Sequence, residues 1–354
     1  MNLYCHFPFC RRKCSYCALH SRAGSTEGAR AEYVERLAAA VERLQVPPSG
    51  LKTVYFGGGS PALCDLRPLF DALAPRLGAG TEFTVELHPL DAVRDTLDAL
   101  KAGGVNRISI GVQSLDDGIL GRMGRGYTFH EAERAFFAAR ERFDNAGIDL
   151  IVGYPGETAA LTPRHARLAK WGLAHCSAYS LILEERTALA RLVSDGREEL
   201  PSDDTVMNRI HVVSMFLADI GLKRYEISNY ARPGMECRHN LAVWRGEDYV
   251  GLGEGAHGRM GRLRTRNWWG GVQGAGVGAA PEEEEVDAAA DEKERRLFRL
   301  RTLEGLPVEV AHGAGWREAL GKFASEGLVV ADGAAYRLTE RGTEVCDSIL
   351  AELA

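Results

Sequence analysis

The sequence predicts an α/β fold: a partial (β/α)6 barrel followed by a small C-terminal helical or winged-helix-like domain. Three observations lead to this prediction. Apolar strands alternate with amphipathic helices, polar residues gather at the carboxyl ends of the strands, and the composition changes near residue 270. A doubly wound sheet is the competing architecture, but the glycine triplet at 57–59 does not follow the G-x-G-x-x-G dinucleotide pattern.

The predicted elements alternate along the first 230 residues. The strands are expected at 3–7, 53–56, 83–87, 107–112, 148–152, 177–182 and 224–228. The helices are expected at 26–44, 63–77, 91–102, 130–143, 162–173 and 203–220. Because apolar strands covered by helices form parallel sheets, six successive strand–helix units predict the barrel.

Three segments follow the predicted barrel domain of residues 1–230. Residues 231–269 form a separate segment that carries two histidines and three tryptophans. Residues 270–290 are rich in glycine and then in glutamate, which predicts a flexible linker. Residues 291–354 predict the small C-terminal domain, with a hairpin over 328–338 that turns at Asp332-Gly333.

Composition and charge limit the classes of function. The chain has 354 residues, of which 45% are hydrophobic, and a net charge of −6. An acidic balance disfavours a nucleic-acid partner. The sequence has no apolar run of about 18 residues, and its first residues lack the basic region of a secretory signal. We therefore expect a cytoplasmic protein, in which clustered thiols bind a metal centre rather than form disulfides.

Four of the eight cysteines fall within the first 17 residues. Cys10, Cys14 and Cys17 have the spacing C-x3-C-x2-C, and three basic residues at 11–13 suit a negatively charged cluster. Three thiolates can each bind one iron of a cubane, which leaves the fourth iron open to a small molecule with an amine and a carboxylate. A three-cysteine zinc site is the alternative, although neither nearby histidine completes a familiar zinc spacing.

The cysteine loop directly after an N-terminal strand, with a Gly-Gly-Gly-Ser-Pro turn after the second strand, resembles the radical S-adenosylmethionine (SAM) superfamily. The segments that resemble its coproporphyrinogen-dehydrogenase-like branch are 4–10, 109–114, 149–156 and 226–231. The resemblance implies a [4Fe-4S] cluster on Cys10, Cys14 and Cys17, with SAM bound to the fourth iron. Such a cluster, once reduced, donates one electron to the sulfonium and generates a 5′-deoxyadenosyl radical.

The resemblance also implies a set of SAM-contacting residues. They are Tyr4 beside the cluster and the methionine moiety, Gly58, Gly59 and Ser60 around the amine and carboxylate, Arg125 toward the carboxylate, and Glu86, Gln113 and Asp149 toward the ribose. The glycines allow close backbone approach to a ligand. Taken singly, each polar residue is equally an ordinary hydrogen-bonding residue of the rim, and their shared placement at strand ends favours the SAM interpretation.

Two functions compete within this branch. The decarboxylating enzymes carry a further cysteine two residues after the third, and a longer N-terminal extension; here that position is Leu19. The difference favours the HemW-type heme chaperones, which deliver heme to acceptor hemoproteins. The alternative is an oxygen-independent coproporphyrinogen III oxidase. A degenerate scaffold and a heme-degrading radical enzyme are further alternatives, and whether SAM is consumed stays open.

The chaperone branch has a His-Asn-x-x-Tyr-Trp heme motif, and this sequence has His239-Asn-Leu-Ala-Val-Trp244. The resemblance implies His239 as an axial ligand of heme and Trp244 stacked on the porphyrin, while Val243 replaces the family tyrosine. Cys237 is an alternative thiolate ligand. The simpler interpretation is that His239 and His257 only form hydrogen bonds in a packed loop. Expected partners are heme, acceptor hemoproteins and an electron donor, with membrane contact only through the acceptors.

Overall fold

The computed structural model describes residues 1–158, 160–271, 280–311 and 314–354. The strands are β1 (Asn2–Phe7), β2 (Phe9–Cys10), β3 (Arg22–Ala23), β4 (Leu51–Gly58), β5 (Leu77–Leu87), β6 (Arg107–Gln113), β7 (Asn145–Val152), β8 (His175–Ser180), β9 (Lys223–Arg224), β10 (Asn229–Ala231), β11 (Tyr249–Leu252), β12 (His257–Met260), β13 (Leu263–Arg266), β14 (Glu282–Glu285), β15 (Leu306–Pro307), β16 (Val329–Ala331) and β17 (Ala335–Leu338).

The α-helices are α1 (Glu27–Arg43), α2 (Arg67–Leu73), α3 (Arg94–Ala102), α4 (Asp117–Met123), α5 (Phe129–Arg140), α6 (Pro163–Leu168), α7 (Ala188–Ser194), α8 (Asp203–Asp219), α9 (Arg238–Trp244), α10 (Ala288–Leu300), α11 (Ala314–Ser325), α12 (Glu340–Glu344) and α13 (Cys346–Leu353). Of the helices that the structure describes, none is long and apolar enough to cross a membrane.

Six parallel strands in chain order, β1-β4-β5-β6-β7-β8, form the barrel wall. The sheet stays open, because β8 continues into antiparallel β10 and β9 while β1 continues into parallel β11 and then antiparallel β12–β14. Apolar side chains such as Phe56, Phe83 and Val85 pack between the sheet and the helices. The predicted partial (β/α)6 barrel is confirmed.

The seventh predicted strand, at 224–228, is wrong. Short antiparallel strands β9 and β10 flank a turn there. Glu226 accepts hydrogen bonds from the side chain of Asn229 and from the backbone N–H of Ser228. Such local side-chain hydrogen bonds compete with a regular strand, which explains the turn.

The C-terminal domain has its own core and the predicted winged-helix arrangement. Helices α10 and α11 precede the hairpin β16–β17, and β15 completes a three-stranded sheet in the order β15-β17-β16. Leu300, Leu320, Phe323 and Ile349 are buried in a cluster separate from the barrel core. The hairpin turns at Gly333, whose φ of 86° favours glycine.

Part of the predicted linker is folded. Its four consecutive glutamates form β14, which pairs antiparallel with β13. Arg262 and Glu285 form an ion pair at 2.6 Å, and Arg266 and Glu282 one at 3.7 Å. Arginines on β13 and directly before it explain why an acidic run that looks like a solvated linker becomes a strand. Residues 272–279 of the predicted linker lie outside the described residues.

Candidate functional site

A cavity of about 730 Å³ opens at the carboxyl ends of the barrel strands. Its walls come from the loop between β2 and β3 (the cluster loop, residues 10–22), from strands of the barrel, from α9 and from the C-terminal domain. The expected site residues that line it are Cys10, Cys14, Cys17, Gly58, Gly59, Ser60, Glu86, Gln113, Arg125, Asp149 and Trp244. The structure therefore brings these residues together, whereas Tyr4 and His239 do not line the cavity.

The cluster loop is held at both ends. Cys10 ends β2, which pairs in parallel with β3, and burial raises the pKa of its thiol. Cys14 Sγ accepts a hydrogen bond from Arg125 Nη1 at 3.3 Å. This hydrogen bond fixes the position of Cys14 within the loop.

A fully buried glutamate, Glu254, fastens the second half of the cluster loop. Its carboxylate accepts hydrogen bonds from Arg22 Nη1 at 2.7 Å and from His20 Nε2 at 3.2 Å. Its backbone N–H donates to the hydroxyl of Tyr33, which in turn donates to the carbonyl of His6. The glycine-rich segment 251–258 therefore supports the cluster loop, a role that sequence reasoning missed.

Arg125 is half-buried between the cluster loop and β6. Its Nη2 donates to the Gly111 carbonyl at 2.8 Å, and its Nε donates to the Tyr127 hydroxyl at 2.9 Å. The left-handed Gly124, with φ of 77°, ends α4 and turns the chain toward this position. The guanidinium is thus fixed before any ligand binds, with its charge directed at Cys14.

The Gly-Gly-Gly-Ser turn after β4 is packed against the first strands. A Cβ on Gly58 would lie 2.5 Å from the His6 ring, and one on Gly59 would lie 2.3 Å from the Phe9 carbonyl oxygen. Both glycines are therefore required by packing, in addition to any approach of a ligand. Ser60 donates its hydroxyl to the buried Asp91 at 2.5 Å, so that proton is already engaged rather than free for a ligand carboxylate.

Two carboxylates face each other across the inner wall. Glu86 accepts hydrogen bonds from the Tyr55 hydroxyl at 2.7 Å and from the Gly58 N–H at 3.2 Å. Burial, reinforced by the negative charge of Asp149, raises the pKa of Glu86 to about 7. Burial also raises the pKa of Asp149, which accepts a hydrogen bond from Ser109 at 2.9 Å. These oxygens suit hydroxyl donors such as those of a ribose.

Gln113 ends β6 at a register shift and has a φ of 64°. A non-glycine residue in the left-handed region costs about 1–3 kcal/mol, and such strain clusters at ligand sites. The strained backbone places the Gln113 side chain on the cavity wall, as the sequence predicts for a cofactor-contacting residue.

Helix α9 carries the proposed heme motif and has two different faces. Asn240, Val243 and Trp244 line the cavity. His239 instead packs at the amino ends of the strands, where its Nδ1 shares a 2.8 Å hydrogen bond with the Thr53 hydroxyl. Burial lowers the pKa of His239 to about 3, so the imidazole is neutral. In this position His239 anchors α9 and does not present a ligand to the cavity, which corrects our expectation.

The other expected residues also lie away from the cavity. Cys237 is fully buried next to Glu82, and burial raises the pKa of its thiol to about 12. His257 is an exposed residue of β12. The Tyr4 hydroxyl shares a 2.9 Å hydrogen bond with His6 Nδ1, and its ring lies 6.0 Å from that of Tyr55. Tyr4 therefore belongs to the packed interior of the barrel.

Sequence reasoning missed several residues that line the cavity, among them Tyr16, Tyr179, Glu226, Arg301 and Asp347. Tyr16 could have been expected from its position in the cluster loop, and Tyr179 and Glu226 from their positions near strand ends. Arg301 and Asp347 come from the C-terminal domain, and no local pattern connects them to the barrel.

The donor set fits a [4Fe-4S] cluster with SAM. Three thiols, a fixed cation and two carboxylates line one cavity. The described residues contain no group of three or more His, Cys, Asp or Glu close enough to hold a single metal ion. A lone zinc ion needs all its ligands within about 2.3 Å, whereas a cubane distributes its ligands over separate irons. The three thiols of one short loop could each bind a separate iron of such a cubane.

Comparison with known proteins identifies the family of this chain. A model described as the radical SAM superfamily matches residues 4–169. The heme chaperone HemW of Mycobacterium tuberculosis H37Rv is 33% identical over 99% of this chain and 94% of its own length. HemW of Escherichia coli K12 is 32% identical over 99% and 97%. The solved structure of E. coli coproporphyrinogen III oxidase (HemN) has a TM-score of 0.79 at 19% identity, covering 99% of this chain and 89% of HemN, a similarity of fold.

Proposed function

The chain belongs to the radical SAM superfamily and, within it, to the family of the HemW proteins, and on this basis we propose that it binds heme and transfers it to acceptor hemoproteins. The similarity to HemW proteins over 99% of the chain carries the proposal. The cavity supports it, because the cluster loop and the tryptophan of the heme motif line one continuous space.

The mouth of the cavity is suited to a flat apolar ligand. Leu19 and Ile182 are 53% and 68% exposed there, and Tyr179, Val243 and Trp244 line the same space. A contiguous patch of exposed apolar side chains marks a binding surface, whereas an isolated one does not. A volume of about 730 Å³ lies within the usual range of sites for small molecules and cofactors.

The residues of the rim have separate tasks in this proposal. Cys10, Cys14 and Cys17 would hold the cluster, which with SAM supplies one-electron chemistry when bound. Arg125 balances the charge of the cluster ligands through Cys14. Glu86 is poised between its two protonation states near neutral pH, so its charge depends on what occupies the cavity.

We also propose the setting in which the protein acts. The electron for the cluster comes from a separate donor protein, the proposed compartment is the cytoplasm, and contact with membranes occurs through membrane-bound acceptors.

A heme titration of the anaerobically reconstituted protein tests the proposal. We expect a Soret band, and about tenfold weaker binding in Trp244→Ala because a stacked ring is lost. His239→Leu should keep the band, because the imidazole faces Thr53 and not the cavity. Phe137→Ala, an exposed aromatic on the outer helix α5, is the matched control. Absence of a Soret band in the wild type would overturn the proposal.

A turnover assay separates the alternative enzyme. Conversion of coproporphyrinogen III to protoporphyrinogen under reducing conditions, with SAM present, would identify an oxidase. We expect no conversion, in keeping with Leu19 at the position where the decarboxylating enzymes have a cysteine.

A further inference from the structure

The C-terminal domain contributes an arginine, Arg301, to the mouth of the cavity. It is the residue that caps α10. Its guanidinium lies over the ring of Trp244, 5.0 Å from the ring centroid, and Phe298 packs edge-on against the same ring. A residue of the C-terminal domain is thus oriented by the tryptophan of the proposed heme motif.

The barrel fixes the backbone of Arg301. Ile227 N–H donates to the Arg301 carbonyl at 3.1 Å, and Leu303 N–H donates to the Tyr225 carbonyl at 3.0 Å. Glu226 and Thr302 form a β-bridge between these two contacts. The position of the guanidinium is therefore set by both domains together.

The counterion of Arg301 is weakly held. Its Nη1 donates to Asp347 at 3.1 Å, but the Asp347 side chain is 86% exposed, and exposed ion pairs contribute little. Arg301 Nε is buried without a hydrogen-bond partner in the described part of the chain. The nearby Glu226 carboxylate is engaged by Asn229 and Ser228. Arg301 is thus a cation at an apolar mouth with an exchangeable anion.

Two other cations of the mouth, Arg11 and Lys13, are already engaged. Arg11 is paired with the buried Asp91. Lys13 Nζ donates to the Leu19 carbonyl at 2.6 Å and to the Ser21 hydroxyl at 2.7 Å. Arg301 differs from both because an exposed side chain is its only hydrogen-bond acceptor among the described residues. Arg12 lines the same cavity without a hydrogen bond or ion pair among the described residues, but it does not contact Trp244 as Arg301 does.

Resting on the proposed function, we propose that Arg301 binds a carboxylate of the tetrapyrrole, a propionate of heme, which displaces Asp347 while the macrocycle contacts Trp244. A planar guanidinium matches the two oxygens of a carboxylate. The C-terminal domain thereby contributes a specificity-determining residue to the heme site, in addition to covering the barrel.

Heme and heme dimethyl ester, titrated into the cluster-loaded full chain, test this inference. The ester has the same macrocycle without carboxylates, so the wild type should bind heme about tenfold more tightly than the ester. Arg301→Met should lose this preference and bind the ester as the wild type does. Asp347→Asn should keep or increase the preference. Arg299→Met, on the same helix but outside the cavity lining, is the matched control.

The outcomes separate the inference from the proposed function. If the wild type binds neither probe, both fail. If it binds both probes equally, or if Arg301→Met weakens both equally, the carboxylate role of Arg301 fails and heme binding stands. If the preference is lost in Arg12→Met and kept in Arg301→Met, the carboxylate lies at the cluster loop and the inference is overturned.

Discussion

The barrel strands carry charged side chains both at their carboxyl ends, the rim, and at their amino ends, the floor. The charged side chains of the rim face a cavity, whereas those of the floor are enclosed by other side chains. At the rim, Glu86, Asp149 and Arg125 line an open cavity. At the floor, Arg107 and Glu82 are buried among packed side chains, and neither lines the cavity. The comparison shows that charge at the carboxyl ends is available to a ligand, whereas charge at the amino ends holds the structure together.

The start of helix α9 is held at the floor of the barrel. Glu82 accepts hydrogen bonds from the backbone N–H groups of Arg238 and His239, both at 3.0 Å. A carboxylate at this position satisfies the free N–H groups at the start of the helix. Trp244, at the other end of α9, reaches the cavity. One short helix therefore belongs to the floor at its start and to the rim at its end.

The largest effect that tests this comparison is expected at the rim. Cys14→Ala should lose nearly all iron and inorganic sulfide after anaerobic reconstitution, because a cubane with an open iron needs all three thiolates. Its thermal unfolding should change little. Cys64→Ala, a half-buried cysteine outside the cavity, should keep both iron and sulfide. A Cys14→Ala protein with a full complement of iron and sulfide would refute the assignment of the rim.

The next effect is expected at the floor. Glu82→Ala should lower the free energy of unfolding by about 3–5 kcal/mol, because it removes one of the buried acids near the Arg107 guanidinium and uncaps α9. Urea unfolding followed by circular dichroism measures it, with the exposed Glu42→Ala on α1 as control. A loss below about 1 kcal/mol, which is the usual contribution of an exposed ion pair, would show that Glu82 stabilises the fold no more than a surface charge does.

The smallest effect is a pH dependence at the rim. The pKa of Glu86 is raised to about 7, so the folded chain binds its proton more tightly than the unfolded chain. That stabilisation is present at low pH and is lost as the pH rises through about 7. The wild type should therefore lose stability between about pH 5 and about pH 8, whereas Glu86→Gln lacks this loss. The free energy of unfolding of Glu86→Gln minus that of the wild type should rise by about 2 kcal/mol over this range.

Urea unfolding of the cluster-free and SAM-free protein at several pH values checks the Glu86 prediction. Glu157→Gln is a useful comparison, since burial also raises the pKa of that carboxyl but it lies outside this cavity. A difference between Glu86→Gln and wild type that does not vary with pH would contradict a raised pKa at the rim.

The sequence predicted the rim better than the floor. Strand ends in a parallel sheet meet at one edge, so Glu86, Gln113 and Asp149 could be grouped from their order alone. The two sides of α9 could not be separated, because the environment of His239 depends on Glu82 and Thr53, which are more than 150 residues earlier. Local motifs do not report such long-range contacts.

The same limit applies to the C-terminal half. The winged-helix arrangement follows from local turn and helix signals, which the sequence carries. The pairing of β14 with β13 depends on arginines that precede the glutamates by some twenty residues. Arg301 reaches the cavity only because the small domain packs on the turn at Glu226. Neither contact has a local signature.

Strand β5 carries Glu82 at the floor and Glu86 at the rim, on the same face. Four residues of extended chain span about 13 Å. One strand therefore carries, about 13 Å apart, the Glu82 carboxylate that holds the start of α9 and the Glu86 carboxylate proposed to bind the SAM ribose. The position of Glu86 on the cavity wall and the start of the helix that ends at Trp244 are thus both set by this one strand.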